Sequence, residues 1–303
     1  MKKMMLMTMM LAASAASAKM GTTQTLAPLA GQSEFSPGLS YIGASYKMEN
    51  DVSLMNYGSG AITQFKYYYG LTDNHAMGVE TGYSSLTFKS TYMNGLDVAT
   101  YKTTNTGMSD IVLKYKGNYE FPVATLYWSL GHSFSPDKRK SKSISNEEME
   151  TNMASGQDAN IASVAVVAPV SLIKMGASVE YTDKLDGKEQ LESTSGIVTD
   201  YTVSNGDSLQ TRIFIELEQV HNLNFAIANI RTYGTKSVNE SGTSTTESTG
   251  SDLLGYELSI RHAVNNNFEL IPQLNYYQHI NLKDTGIKEA AYAFVGGSAR
   301  WVF

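Results

Sequence analysis

The most constraining feature of this 303-residue sequence is an apolar–polar alternation that recurs in short runs and never settles into a helical period. In Thr211–Glu218, Ile213, Ile215 and Leu217 fall on one side, with Arg212, Glu216 and Glu218 on the other. In Leu254–Arg261, Leu254, Tyr256, Leu258 and Ile260 oppose Gly255, Glu257, Ser259 and Arg261. Phe268–Ile280 sets Phe268, Leu270, Leu274 and Tyr276 against Glu269, Gln273, Asn275, Tyr277 and His279. A period of two puts successive side chains on opposite faces of a strand. Similar runs lie near 39–47, 59–69, 76–89, 109–117, 123–133, 161–169, 172–182, 223–234 and 290–303, which makes twelve strands in all.

The connections sort by length. Five are tight, at Gly70–His75, Gly117–Pro122, Ala168–Leu172, His221–Asn222 and Asn265–Asn267. Between them come long polar stretches at about 48–58, 90–107, 134–160, 183–207, 235–251 and 281–289. Tight turns on one side and long loops on the other are what an up-and-down transmembrane barrel needs when both termini sit on the tight-turn side. Runs of this length also match the roughly 9–11 residues of a tilted membrane-crossing strand. The expected fold is therefore all-β, a single antiparallel transmembrane barrel. Twelve strands fit best; ten or fourteen also fit, because 39–47 and 161–169 are the weakest runs.

Cost decides which face meets lipid, since a Lys or Arg facing the bilayer midplane costs about 2–4 kcal/mol. The apolar faces must point outward, including Phe65, Met77, Leu113, Val164, Val179, Ile213 and Leu258, and the polar faces inward. Tyr69, Tyr83, Tyr115, Tyr181 and Tyr233 at strand ends suit interfacial girdles, although tyrosine also favours strands in general.

Composition narrows the classes further. Only 17% of positions are charged, against about 25% in an ordinary soluble domain. Beyond the first 20 residues there is no run of 18 apolar positions, so helical membrane spans are excluded. The absence of cysteine excludes a disulfide framework, a thiolate zinc site and a thiol nucleophile. A net charge of -6 without a basic block tracking phosphates argues against a nucleic-acid partner. At the N-terminus, Lys2 and Lys3 precede an apolar Met4–Ala13 segment and the small-x-small triplet Ala16-Ser17-Ala18. That pattern reads as a secretory signal peptide over 1–18. Residues 19–38 would then form a periplasmic or lumen-capping segment, and 39–303 the barrel.

The C-terminal residues Ala299–Phe303 place Trp301 and Phe303 on the outward face. This ending resembles the terminal signal of bacterial outer-membrane β-barrels, although Ser298 stands where a glycine is often found. The resemblance implies residence in the bacterial outer membrane, with the barrel-assembly machinery as partner and surrounding lipid and lipopolysaccharide as neighbours. Tyr69–Asn74, Met77–Tyr83, Gly107–Lys116 and Gly131–Asp137 are similar to a stretch of the phenol-degradation MetA-pathway outer-membrane family. The last of these lacks the usual Pro-Thr-Gly. That likeness covers about residues 60–140 and implies a barrel passing small hydrophobic or aromatic molecules. It carries no functional residues with it.

Catalytic constellations are poorly supported. A phospholipase-like His–Ser pair needs both side chains on one face, but His132 and Ser133 are adjacent and so point oppositely. An omptin-like protease would need His132 and Asp137 gathered at the outer rim. Asp183–Glu189 lacks the alternate acids of a calcium loop, and a solvated loop is the plainer reading. Lys138–Lys142 is the only basic cluster; it suits either lipopolysaccharide phosphates or simple solvation. Ser237–Ser251 reads as a mobile loop.

The inward positions carry the functional expectation. Seven are basic (Lys66, Lys114, Lys116, Lys174, Arg212, Arg261 and Arg300) and seven acidic (Glu80, Asp110, Glu180, Glu216, Glu218, Glu257 and Glu269), joined by Tyr277 and His279. Balanced charges in a confined space should pair across neighbouring strands, leaving either a narrow polar path or a plugged interior. The expectation is a passive channel for a small-molecule solute, with no enzyme activity, cofactor or metal. The alternatives are a non-conducting structural or surface-interaction barrel and, further off, a barrel enzyme.

Overall fold

The computed structural model describes residues 28–48, 53–94, 97–170, 173–217, 222–239, 244–281 and 287–303, so the signal-peptide reading and residues 19–27 lie outside them. The chain runs through β1 (Ser33–Met48), β2 (Ser53–Thr72), β3 (His75–Asn94), β4 (Asp97–Met108), β5 (Ile111–Phe121) and β6 (Ala124–Phe134). A first external hairpin follows, β7 (Arg139–Ser143) and β8 (Glu148–Asn152), then β9 (Ala159–Val170) and β10 (Ile173–Lys184). A second hairpin, β11 (Gly187–Glu192) and β12 (Val198–Asn205), precedes β13 (Ser208–Leu217) and β14 (Leu223–Thr232). The third is β15 (Thr235–Asn239) with β16 (Thr245–Glu247), before β17 (Ser251–Ile260), β18 (His262–Asn265), β19 (Phe268–Asn281) and β20 (Ile287–Val302).

Twelve strands form the wall, in the order β1, β2, β3, β4/β5, β6, β9, β10, β13, β14, β17/β18, β19 and β20. All wall pairings are antiparallel, and β1 pairs with β20 as well as β2, so the barrel closes. The seam runs from Glu34 opposite Val302 to Met48 opposite Ile287. Two wall strands are broken. Ser109 and Asp110 separate β4 from β5, next to Gly107 at φ +144°, and Arg261 separates β17 from β18.

The structure corrects the sequence reading in three places. First, β1 begins at Ser33, so residues 33–38 belong to the wall rather than to a segment ahead of it. Second, the described residues of the long stretches are largely strand. Met48 and 53–58 continue β1 and β2, 90–94 and 97–107 belong to β3 and β4, and 134–160, 183–207 and 235–251 each hold a hairpin. Ser237–Ser251, read as a mobile loop, contributes to β15 and β16. These hairpins join edge to edge above the barrel: β8 runs parallel to β4, β11 parallel to β7, and β15 antiparallel to β12. Their sequences lack an apolar face, because neither side meets lipid, so periodicity is silent there. Such sequences keep the Thr and Tyr that suit a ladder.

Third, the interior is not uniformly polar. In the loop-end half, Ile42, Tyr46, Ile62, Leu86, Phe88, Ile230, Leu253, Tyr277, Tyr292 and Phe294 form one buried apolar cluster. Large rings fit because facing positions are glycine. A Cβ on Gly176 would lie 2.0 Å from the Phe214 ring, and one on Gly255 would lie 2.4 Å from Tyr277. The outer face is apolar as expected, with Leu113, Val164, Ile213 and Leu258 all exposed to the surroundings of the barrel.

Candidate functional site in the barrel lumen

In the tight-turn half the inward side chains are charged and interlocked. Arg300 donates to Glu34 at 3.0 Å and to Glu269 at 3.1 Å. Arg261, placed by the break between β17 and β18, lies 3.8 Å from both Glu269 and Glu216. A chain of charge thus runs across β1, β20, β19, β17/β18 and β13. Above it, Arg212 makes a two-pronged contact with Glu257, at 2.9 Å from Nε and 3.0 Å from Nη2. Glu257 is buried and also accepts the Tyr277 hydroxyl at 2.6 Å. Arg212 on β13 and Glu257 on β17 are not neighbours. Between them β14 presents only Ala226 and Ala228 inward, and those small residues let the guanidinium reach across. Pairing between neighbouring strands holds for Arg300 with Glu34 and Glu269, while Arg212 reaches past one strand to Glu257.

The opposite wall carries a second group. Lys114 on β5 lies 3.8 Å from Glu80 on β3 and 3.9 Å from Glu180 on β10. Strands β6 and β9 stand between β5 and β10, so this contact spans the lumen rather than following the wall. The Tyr68 hydroxyl donates to Glu80, and Lys116 sits with its ammonium 3.4 Å from the centre of the Tyr68 ring.

Two cavities result. The one toward the tight turns is about 190 Å³ and is lined by Lys66, Glu80, Lys116, Arg212, Arg261 and Arg300 among others. The one toward the loops is about 260 Å³, with Ile62, Met153, Ile161 and Ile230 beside Asp110 and Lys184. Gln64, Lys66, Glu80, Glu180 and Gln210 line both and so form the neck. Gln64 Oε1 and Gln210 Nε2 are buried there without a hydrogen-bond partner.

A short strap, Met153–Asp158, follows β8, and its Met153, Ala154, Ser155 and Gln157 line the upper cavity. The Ser155 amide donates to Asp110 at 3.1 Å and the Gly156 amide to Ser135 at 2.9 Å. Gln157 donates to the carbonyls of Leu185 and Asn205 at 3.0 and 3.1 Å. Positive φ at Gly156 (+73°) allows the turn, and a Cβ there would meet the Lys188 carbonyl at 2.3 Å.

Of the other residues singled out from sequence, Lys174 faces inward at the register position of Glu216, and His279 pairs with the Tyr292 hydroxyl at 2.8 Å. Glu218 lies outside the described residues. Trp301 stacks on Phe268 at 4.6 Å and on Phe35 at 6.3 Å. Phe303 ties the seam through backbone bonds to Ser33 at 2.6 and 2.9 Å. Sequence reasoning missed Glu34, Tyr68, Gln64, Gln210 and the strap. Glu34 was legible, since Glu34, Ser36 and Gly38 alternate with Phe35 and Leu39; the strap has no periodic signal.

His132 and Asp137, the pair considered for a protease, have separate partners. His132 bonds Asn160 at 2.9 Å, whereas Asp137 bonds Lys140 at 2.6 Å. The basic cluster is largely neutralised, because Lys138 meets Asp200 at 3.0 Å and Lys142 meets Glu192 at 2.8 Å. Lys140 holds Asp137, and Lys138 holds Asp200, below the usual carboxylate range. Arg139 turns into the sheet toward Glu189 at 3.7 Å, and burial raises the Glu189 carboxyl.

No family model matches the sequence, and neither does any curated protein. The resemblance to the MetA-pathway family therefore rests on its motifs alone. Among solved structures, an outer-membrane channel from Pseudomonas putida F1 is similar over 94% of this chain and 100% of its own, at 10% identity and a TM-score of 0.62. The TodX monoaromatic hydrocarbon channel, as a deletion mutant, aligns over 95% and 93% at 12% identity, with a TM-score of 0.49. The toluene transporter TodX of Pseudomonas putida aligns over 89% of each chain at 11% identity, with a TM-score of 0.42. The fold is that of a closed twelve-stranded antiparallel barrel, shared with that outer-membrane channel.

Proposed function

We propose that this barrel is a passive channel for small amphipathic or apolar molecules and carries no catalytic step of its own. The observation that supports this reading is the pair of cavities lying end to end in the lumen, divided at a neck by the Lys114 bridge. At 3.8 and 3.9 Å those contacts are longer than the 2.7–2.9 Å of a strong charge-assisted hydrogen bond, so the bridge is easily broken. The apolar wall above the neck suits a solute body that sheds its water, as ligand pockets with few placed polar groups do. The likeness to a channel fold is in keeping with this reading.

A second reading, a barrel that does not conduct, draws on the tight Arg212–Glu257–Tyr277 lock and the apolar cluster across the loop end. Reconstituted liposomes separate the two. The channel reading expects an aromatic or short-chain amphiphile to enter protein-loaded liposomes several-fold faster than protein-free ones, while a sugar of similar size lags. Equal rates for the amphiphile with and without folded protein would overturn it.

A further inference from the structure

The lumen charges do not cancel locally. Of the cations lining the tight-turn cavity, Arg212, Arg261, Arg300 and Lys114 each have a carboxylate within ion-pair distance. Lys66 and Lys116 have none among the described residues, though both line that cavity and Lys66 reaches the upper one as well. Lys116 is only 6% exposed. An ammonium so deeply buried needs a counter-charge, because desolvation without one is costly.

The neighbouring carboxylates are turned elsewhere. Glu80 accepts the Tyr68 hydroxyl and faces Lys114, and Glu34 holds Arg300. Both act on Lys116 from beyond ion-pair distance. What remains against its ammonium is the face of the Tyr68 ring, an attraction weaker than an ion pair with a desolvated carboxylate. Two amines thus point into a cavity whose other charges are already paired. Directly above, the wall turns apolar at Ile62, Ile161 and Ile230.

We propose that Lys66 and Lys116 form an anion-recognition site in the lumen, which receives the head of a small monoanionic amphiphile while its apolar body rests above the neck. This builds on the channel reading by naming a charge class of solute, and it assigns a selectivity role to two residues that no paired charge explains. A carboxylate bridging both amines would supply the missing counter-charge. A neutral alcohol of the same shape would fill the same space with neutral hydrogen bonds alone, and charged ones are about twice as strong. The two cavities together fall within the usual range of about 300–1,000 Å³ for a small-molecule site.

The test is equilibrium binding to the full folded barrel in a non-ionic detergent, read by fluorine NMR with fluorobenzoate, fluorobenzyl alcohol and fluorobenzylamine as probes. These differ in head charge and share one ring. Wild type should bind the benzoate about tenfold more tightly than the alcohol, with the amine weakest. Lys66→Gln and Lys116→Gln should each reduce the benzoate preference several-fold and leave alcohol binding unchanged. Lys142→Gln, in the external sheet, should change nothing. If Lys116→Gln does not fold, Lys66→Gln and the wild-type ranking still decide the matter. Equal affinity for benzoate and alcohol in wild type, or a preference that survives Lys66→Gln, would overturn the site. Binding needs no conduction, so a barrel that prefers benzoate yet passes no solute would sink the channel reading and keep the anion site.

Discussion

Replacing Glu257 with alanine should be the most destabilising single change in the lumen. Glu257 is 3% exposed; its Oε1 accepts both Arg212 Nη2 and the Tyr277 hydroxyl, and its Oε2 lies 2.9 Å from Arg212 Nε. The Glu257→Ala change leaves a buried guanidinium without its counter-charge, and breaking a buried pair from one side costs about 3–5 kcal/mol. The orphaned Tyr277 hydroxyl adds about 1–3 kcal/mol. The Arg212 side chain keeps 18% of its surface exposed to the lumen, so water offsets part of both and about 3 kcal/mol remains. Glu257→Gln keeps an acceptor for Tyr277 and should cost about half as much. Lys140→Ala removes an exposed pair with Asp137 and should cost under about 1 kcal/mol. Urea unfolding in detergent micelles, followed by tryptophan fluorescence and heat-modifiable gel mobility, gives the three midpoints. A Glu257→Ala midpoint equal to that of Lys140→Ala would refute the reasoning, because it would mean the lock is fully solvated.

On the outer face, Leu258 opposes Phe225 and Leu274, and Leu258→Arg should cost about 2–4 kcal/mol near the bilayer midplane. The folded fraction in liposomes should fall, and a wild-type fraction would contradict the assigned facing. In the external sheet, Asp137 and Asp200 titrate lower folded than unfolded. Their ion pairs therefore stabilise above the unfolded value near 3.9 and lose that contribution as pH falls through the folded values. Amide hydrogen exchange at 138–142, corrected for its intrinsic pH dependence, should speed up below about pH 4 and do so less in Asp200→Asn, which keeps only the Asp137 contribution; the same profile in both proteins would contradict it. A tag inserted at exposed Gly196, where open space surrounds the turn, should be labelled on intact cells, and one at Asn74 only after the membrane is opened. Labelling of both on intact cells would reverse or break the topology.

The wall was legible in the sequence because lipid enforces it. Ile213, Leu258 and Leu274 must alternate with Arg212, Glu257 and Asn275 wherever one face meets hydrocarbon and the other does not. Above the bilayer that pressure ends. The parallel contacts of β8 with β4 and β11 with β7 join segments far apart in the chain, with no pattern to announce them. Inside the barrel, alternation assigns Lys114 and Glu180 to the lumen but carries nothing about reach across it. That contact depends on barrel diameter and on two intervening strands. The apolar cluster escaped for a related reason. Tyr277 and Phe294 occupy inward positions, but whether a ring fits there is decided by facing glycines such as Gly255.

The central claim is that a conducting lumen is closed at the neck by Lys114. Single-channel recording of the reconstituted wild type and of Lys114→Ala tests it most directly. The account predicts small, infrequent openings for wild type. For Lys114→Ala it predicts a conductance several-fold higher and more cation-selective, since Glu80 and Glu180 lose their shared counter-charge. A Lys114→Ala barrel that folds as well as wild type yet conducts no more would contradict it.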